Sequence, residues 1–125
     1  MSGTGARGRR RLSRSGEFDR VYREGSSHAT RHLVLYSFPR EDGGEEVRLG
    51  VSVGRKVGGA VERNTVKRAL REGFWQLGDD LPSGSDVVIV ARPDLAAVVE
   101  REGTEGVTGL LRDALQEASS GKRST

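Results

Sequence analysis

The chain has 125 residues, which is enough for one domain with a modest core. It contains no cysteine, which excludes a disulfide framework and any thiolate metal site. No apolar run approaches the roughly 20 residues of a membrane span, and no apolar stretch follows the N-terminal arginines as it would in a secretory signal. We therefore expect a cytoplasmic protein that does not contact a membrane.

The charge is distributed unevenly along the chain. The net charge is +3, but residues 1–75 hold 16 lysines and arginines against 9 acidic residues, whereas residues 76–125 hold 5 against 9. An asymmetry of this kind is typical of a protein with one side that binds a polyanion.

The first predicted elements are an arm and a helix. Residues 1–14 hold five arginines and no acidic residue, so we expect a basic arm that is disordered in the free protein. A helix follows between a cap at Ser15 and Gly25. Its apolar stripe contains Phe18, Val21 and Tyr22.

Three segments have the patterns of strands. Apolar residues alternate in His32–Phe38 and in Val47–Val53, which predicts two half-buried strands joined by the polar hairpin loop Pro39–Glu46. Asp86–Ala91 is continuously apolar, which predicts a strand covered on both faces.

Two further helices are predicted, one from about Gly59 to Leu77 and one from Glu105 to Ala118. The order is αβββαβα or αββαβα, an α+β fold with one central sheet and packed helices. We expect a single domain at residues 15–118, followed by a disordered tail at 119–125.

The helix predicted from Gly59 is cationic on one face. At 100° per residue, four cations and an amide cover an arc of roughly 140°, and the apolar residues fall in a separate arc. These five residues are Arg63, Asn64, Lys67, Arg68 and Arg71. Arg55 and Lys56 precede the helix N-terminus, where free N–H groups and the helix dipole favour an anion. The pattern favours a polyanion with regularly spaced phosphates over the alternative, a merely solvated basic helix.

The sequence offers no catalytic or metal-binding constellation. Asp79 and Asp80 are adjacent acids at a helix end, which we interpret as a solvated loop. His28 and His32 could chelate a metal if the segment is extended, but no third ligand is in view. No nucleophile–base pair is recognisable. These observations indicate a binding protein.

Two of the six aromatic residues are candidates for base stacking. Tyr22 and Tyr36 are amphipathic and could hold unpaired bases, as proteins that bind single-stranded RNA do. Packing at the edge of the core explains their spacing equally well. For Phe38, Phe74 and Trp75 we favour core packing.

Four segments together resemble the protein subunit of bacterial ribonuclease P. They are the segment from Arg11 to Gly25, in which an arginine precedes F-x-x-V-Y-x-x-G, then R-H-L-V-L-Y (Arg31–Tyr36), the region Arg48–Glu72 with its A-V-x-R-N-x-x-K-R-x-x-R stretch, and V-V-I-V-A-R (Val87–Arg92). The resemblance implies a sandwich like domain 2 of ribosomal protein S5, with a left-handed βαβ crossover. It also implies a ribonucleoprotein endoribonuclease, in which one protein binds one large catalytic RNA that removes the 5′ leader of precursor tRNA. Mg²⁺ would be held mainly by the RNA, and no catalytic residue is expected in this chain.

The resemblance also assigns residues to two surfaces. The surface for the RNA subunit would consist of Arg55, Lys56, Arg63, Asn64, Lys67, Arg68 and Arg71, and the surface for the leader of Phe18, Tyr22, Arg31, Tyr36 and Arg92. This chain has Thr65 where the family commonly has arginine. Two alternatives remain: a ribosome-associated or chaperone-like RNA-binding protein on the same fold, and a nuclease that acts alone.

Overall fold

The structure is a computed structural model, and it describes residues 9–12 and 15–120. The described part of the chain contains five strands and three helices. In chain order these are β1 (Arg9–Arg11), α1 (Ser15–Glu24), β2 (Ser26–Ala29), β3 (Leu33–Pro39), β4 (Val47–Ser52), α2 (Ala60–Trp75), β5 (Ser85–Ala91) and α3 (Leu95–Ser120). From α1 onward this is the αβββαβα order, with β2 as the additional strand. None of the helices in the described ranges is long and apolar enough to cross a membrane.

All five strands form one mixed sheet in the order β1-β4-β5-β3-β2. Strands β1, β4 and β5 run parallel, while β3 is antiparallel to both β5 and β2. The predicted hairpin Pro39–Glu46 is therefore wrong, because β5 lies between the two strands that this segment connects. The segment instead crosses the end of β5, where the Arg40 guanidinium donates to the Asp86 carboxylate at 2.9 Å.

One face of the sheet carries the main core. Side chains alternate between the faces of a strand, and on this face Leu35, Leu49 and Ile89 are buried beneath α2 and α3. Helix α3 approaches α2 closely at Gly73, where a Cβ atom would lie 3.0 Å from the Thr108 hydroxyl. The alternation predicted for β3 and β4, and the continuous burial predicted for β5, are confirmed.

The opposite face of the sheet is covered only in part, by α1. A smaller core forms there from Leu12, Val21 and Val88, with Phe18 and Tyr36 packed against it. The sheet therefore has helices on both faces, and the short α1 leaves one end of its face open. This arrangement supports the α+β class. The S5-like name and the left-handed sense of the β4-α2-β5 crossover stay predictions.

The structure adds elements near both ends of the chain. Within the expected arm, β1 pairs with the free edge of β4 and Leu12 is buried, and the disorder of the arm in the free protein stays a prediction. Residues 1–8 and 13–14, with residues 121–125 of the expected tail, lie outside the described residues. Helix α3 consists of two helical parts, because Gly103 has non-helical backbone angles, with φ at 65° and ψ at −154°. The predicted helix Glu105–Ala118 corresponds to the second part, and the first part, which begins at Leu95, was not predicted. Glycine adopts this conformation without steric conflict, so the chain can change direction at Gly103 between the two helical parts.

Candidate RNA-binding surfaces

The turn between β4 and α2 sets the start of the cationic helix. The Val57 N–H donates to the Gly54 carbonyl at 3.1 Å, which closes a turn that leaves Arg55 and Lys56 exposed. Helix α2 then begins after Gly59, whose backbone N–H donates to the Glu62 carboxylate at 2.8 Å. The Glu62 side chain thus caps the helix as a capping-box glutamate does.

Helix α2 divides into a buried side and an exposed cationic side, as the periodicity predicts. Its buried residues are Val66, Ala69, Leu70, Gly73 and Phe74. The other side forms a groove of about 450 Å³ lined by Asn64, Lys67, Arg68, Arg71 and Glu72. Four of these five residues belong to the predicted set. The fifth, Glu72, accepts a hydrogen bond from the Thr104 hydroxyl of α3 at 3.3 Å.

The cations of this helix have no carboxylate partner within the described residues. No ion pair there includes Arg63, Lys67, Arg68 or Arg71. The two acids of α2 do not neutralise them, since Glu62 caps the helix and Glu72 turns to α3. An unpaired cationic row of this kind is suited to phosphate.

Two arginines of the row have unusual surroundings. The Nε atom of Arg63 is buried, and no described group accepts its hydrogen. Burial of the Arg71 guanidinium, together with the nearby charge of Arg11, lowers the pKa of Arg71 from its ordinary value. Both guanidinium groups are thus held in place without an internal anion.

An aromatic cleft, defined here by Phe18, Tyr22 and Tyr36, lies between α1 and the sheet. The Tyr22 ring centroid lies 4.9 Å from that of Tyr36 in an edge-to-face arrangement and 6.4 Å from that of Phe18. Tyr22 remains 39% exposed. Burial of the rest of its ring, followed by the proximity of Tyr36, raises the pKa of the Tyr22 phenol. The cleft therefore presents neutral aromatic surface, which unpaired bases can stack on.

The sheet beneath the cleft has a glycine where α1 approaches it. A Cβ atom at Gly50 would lie 2.6 Å from the Phe18 ring, so only glycine admits the ring there. Glycine between Arg48 and Ser52 in an alternating strand is a signal for such an approach, but the sequence analysis left it unused.

An ion network anchors the start of α1 next to this cleft. Arg48 donates to both carboxylate oxygens of Asp86 at 2.6 and 2.8 Å, and to Glu17 of α1 at 3.4 Å. Asp86 is only 1% exposed, and Arg40 donates to it as well. The hydrogen bonds to Asp86 raise the pKa of Arg48. This network could not be recognised in the sequence. Its charges come from α1, β4, β5 and the segment after β3, so they form no local sequence pattern.

The two remaining candidates, Arg31 and Arg92, lie at the end of the sheet and outside the aromatic cleft. Tyr36 is paired with Val88, so Arg92 is four strand residues, or about 13 Å, further along β5. Arg92 donates to the Thr30 carbonyl at 3.2 Å, and Arg31 forms an exposed ion pair with Asp94 at 3.4 Å. The structure thus brings the aromatic candidates together and leaves the two arginines apart from them, at the end of the sheet.

The acidic pairs and histidines considered in the sequence are surface features. Asp80 lies in the short 3₁₀ turn Gly78–Asp80 and pairs with Arg112 at 3.7 Å, while His28 bonds to Glu117 of α3 at 2.8 Å. In residues 9–12 and 15–120, no group of three His, Asp or Glu side chains could hold a metal ion.

A mixed sheet with a one-sided cationic helix and a half-exposed aromatic cleft defines an α+β protein with two candidate surfaces for RNA. The family model for ribonuclease P matches residues 7–115. The chain belongs to the ribonuclease P protein family, and it is the protein component of an endoribonuclease of tRNA processing.

Relatives of known sequence and structure agree with this assignment. The ribonuclease P protein component of Brevibacillus brevis is 43% identical over 88 residues, which are 70% of this chain and 69% of that one. The component from Bacillus cereus is 38% identical over 92 residues, 74% and 79% of the two chains. The RNase P protein structure from Staphylococcus aureus matches with a TM-score of 0.74 at 31% identity, over 86% of this chain and 94% of that one. The structure from Thermotoga maritima gives 0.67 at 31% identity, over 86% and 93%.

Proposed function

We propose that this protein binds the catalytic RNA of ribonuclease P through the exposed side of α2 and holds the 5′ leader of precursor tRNA in the aromatic cleft. The RNA then removes the leader by phosphodiester hydrolysis and leaves the mature 5′ end. The observation that carries the proposal is the row of α2 cations without a carboxylate partner in the described residues. Fixed, unpaired guanidinium groups recognise phosphates by charge-assisted hydrogen bonds.

The position of the two surfaces supports one assembly for both RNAs. Ser52 at the end of β4 is paired with Val90, two residues before Arg92. The turn that holds Arg55 and Lys56 therefore leaves the sheet at the end where Arg92 lies. Arg55, Lys56 and Arg92 thus share one end of the sheet, and a leader that extends from the aromatic cleft to this end would approach RNA bound to α2.

The chemistry is assigned to the RNA subunit. Within the described residues, no group of three His, Asp or Glu side chains could hold a metal ion, which agrees with a catalytic centre outside this chain. We propose that Mg²⁺ is held mainly by the RNA, that one protein joins one RNA, and that the complex acts in the cytoplasm. The protein contributes affinity and position, which lower the barrier by fixing the substrate near the reacting groups.

The test is the affinity of the purified ribonuclease P RNA for the protein and for the double variant Arg63→Ala/Arg68→Ala. Each lost charge-assisted contact weakens binding by roughly tenfold or more, so we expect the dissociation constant to rise at least about tenfold. The free energy of unfolding should change little, because neither side chain has a partner in the described protein.

The matched control is Arg101→Ala, because Arg101 is an exposed arginine of α3 that pairs only with the adjacent Glu102, at 3.6 Å. This change should leave the affinity unaltered. An equal loss of RNA affinity in both variants would mean that binding depends only on the total positive charge of the protein, as in a chaperone-like RNA-binding protein. An unchanged affinity in the double variant would reject α2 as the RNA-binding surface.

A further inference from the structure

Strand β1 brings a further arginine to the α2 side of the sheet. In the parallel pairing of β1 with β4, Arg11 is opposite Leu49 and Arg10 is opposite Arg48. Leu49 is buried in the core beneath α2, so Arg11 points to that same side. Arg10 points to the other side, where it pairs with Glu46 at 3.3 Å and Glu17 at 3.8 Å.

The crossover brings the C-terminal part of α2 toward Arg11. Helix α2 follows the end of β4 and returns to the start of β5, so Arg71, near the C-terminal end of α2, lies toward the start of β5. Arg11 is in register with Leu49 and, across β4, with Val87 near that same start of β5. The charge of Arg11 also contributes to the lowered pKa of Arg71.

Arg11 and Arg71 differ from Arg10 and Arg48 in having no carboxylate partner within the described residues. Arg10 and Arg48 each lie within 4 Å of carboxylates. Neither Arg11 nor Arg71 forms an ion pair with any described residue, and the nearest acid of α2, Glu72, bonds to Thr104. Two guanidinium groups close together repel each other unless an anion lies between them.

We propose that Arg11 and Arg71 form a two-arginine site for an RNA phosphate, which extends the α2 groove onto the edge strand β1. This inference rests on the proposed function, because it assigns the phosphate to the backbone of the RNA subunit. A phosphate bound by both residues would bridge β1 and α2, so that the RNA binds a sheet edge together with the helix.

The experiment compares Arg11→Gln, Arg71→Gln and the double variant with the matched control Arg10→Gln. Arg10 is adjacent in the same strand and faces the opposite side. The dissociation constant for the RNA subunit is measured at several salt concentrations. We expect Arg11→Gln to raise it about tenfold and to reduce the slope of log K against log salt by about one, and Arg10→Gln to change it less than threefold. The double variant should lose less than the product of the two single losses, because one phosphate is shared.

Three results would overturn the inference. One is an affinity of Arg11→Gln equal to that of the parent while Arg63→Ala/Arg68→Ala is weakened, which leaves the proposed function intact. Another is an equal loss of RNA affinity in Arg11→Gln and Arg10→Gln. That result would indicate that the affinity depends on the pairing of β1 with β4 and not on a phosphate bound by Arg11. The third is a loss confined to precursor tRNA bound by the assembled holoenzyme, which would assign the phosphate to the substrate. Near-ultraviolet circular dichroism on each variant confirms that the fold is retained.

Discussion

Replacing Tyr22 by alanine separates leader binding from core packing. Tyr22 is 39% exposed, and its ring neighbours include Tyr36 at 4.9 Å and Phe18 at 6.4 Å between ring centroids. Stacking of a base on such a ring contributes about 1–3 kcal/mol, and 2 kcal/mol corresponds to about a 30-fold change in affinity. The edge-to-face pair with Tyr36 contributes about 0.5–1.5 kcal/mol to folding beyond the buried area. We therefore expect a moderate loss of stability beside a large loss of leader affinity.

The assay is the ratio of the affinities of the holoenzyme for precursor tRNA and for mature tRNA, which lacks the leader. A general folding defect lowers both affinities together and leaves their ratio unchanged. Tyr22→Ala and Tyr36→Ala should each lower the ratio, by about 30-fold if the full stacking energy is lost. Tyr22→Phe is the matched control, because it keeps the ring and removes only the hydroxyl.

The result that refutes this reasoning is an unchanged ratio in both alanine variants. The two tyrosines would then be packing residues at the edge of the core, and the leader would lie elsewhere. A loss in Tyr22→Phe as large as in Tyr22→Ala would also contradict stacking, since the phenylalanine ring offers the same face to a base.

Three further predictions concern charge and packing. Binding of the RNA subunit should weaken steeply with salt, with a slope of about −0.7 to −0.9 per neutralised phosphate, and a flat dependence would reject a polyanion interface. Asp86→Asn should lower the free energy of unfolding by about 3–5 kcal/mol, because it removes the buried anion that Arg40 and Arg48 share; urea unfolding measures this, and a loss below about 1 kcal/mol would contradict it. Gly50→Ala should displace the Phe18 ring and lower the free energy of unfolding by about 1–3 kcal/mol. An unchanged urea unfolding curve would show that α1 can shift to make room for the methyl group without loss of stability.

Elements with a strong local pattern could be predicted from the sequence. Helix α2 shows this best, because its apolar and cationic arcs depend only on the 3.6-residue period and its start on Gly59. The residues of the aromatic cleft could also be chosen from the sequence, since Phe18 and Tyr22 are one helical turn apart and Tyr36 lies in a strand with alternating burial.

Features that depend on distant segments could not be predicted. The polar segment Pro39–Glu46 has the composition of a hairpin, and only the insertion of β5 between its flanking strands shows otherwise. Three successive arginines in β1 carry no strand signal, because the free edge of β4 determines their conformation. The first part of α3, from Leu95 to the non-helical residue Gly103, was not predicted, whereas the predicted helix Glu105–Ala118 corresponds to the part that follows Gly103.

The measurement that tests the central claim most directly is cleavage of precursor tRNA by purified ribonuclease P RNA at low Mg²⁺, with and without this protein. The account predicts that the protein alone cuts nothing, that its addition to the RNA accelerates removal of the leader at the mature 5′ end, and that Arg63→Ala/Arg68→Ala loses most of this gain. Cleavage by the protein alone, or RNA activity that the protein leaves unchanged, would contradict the account.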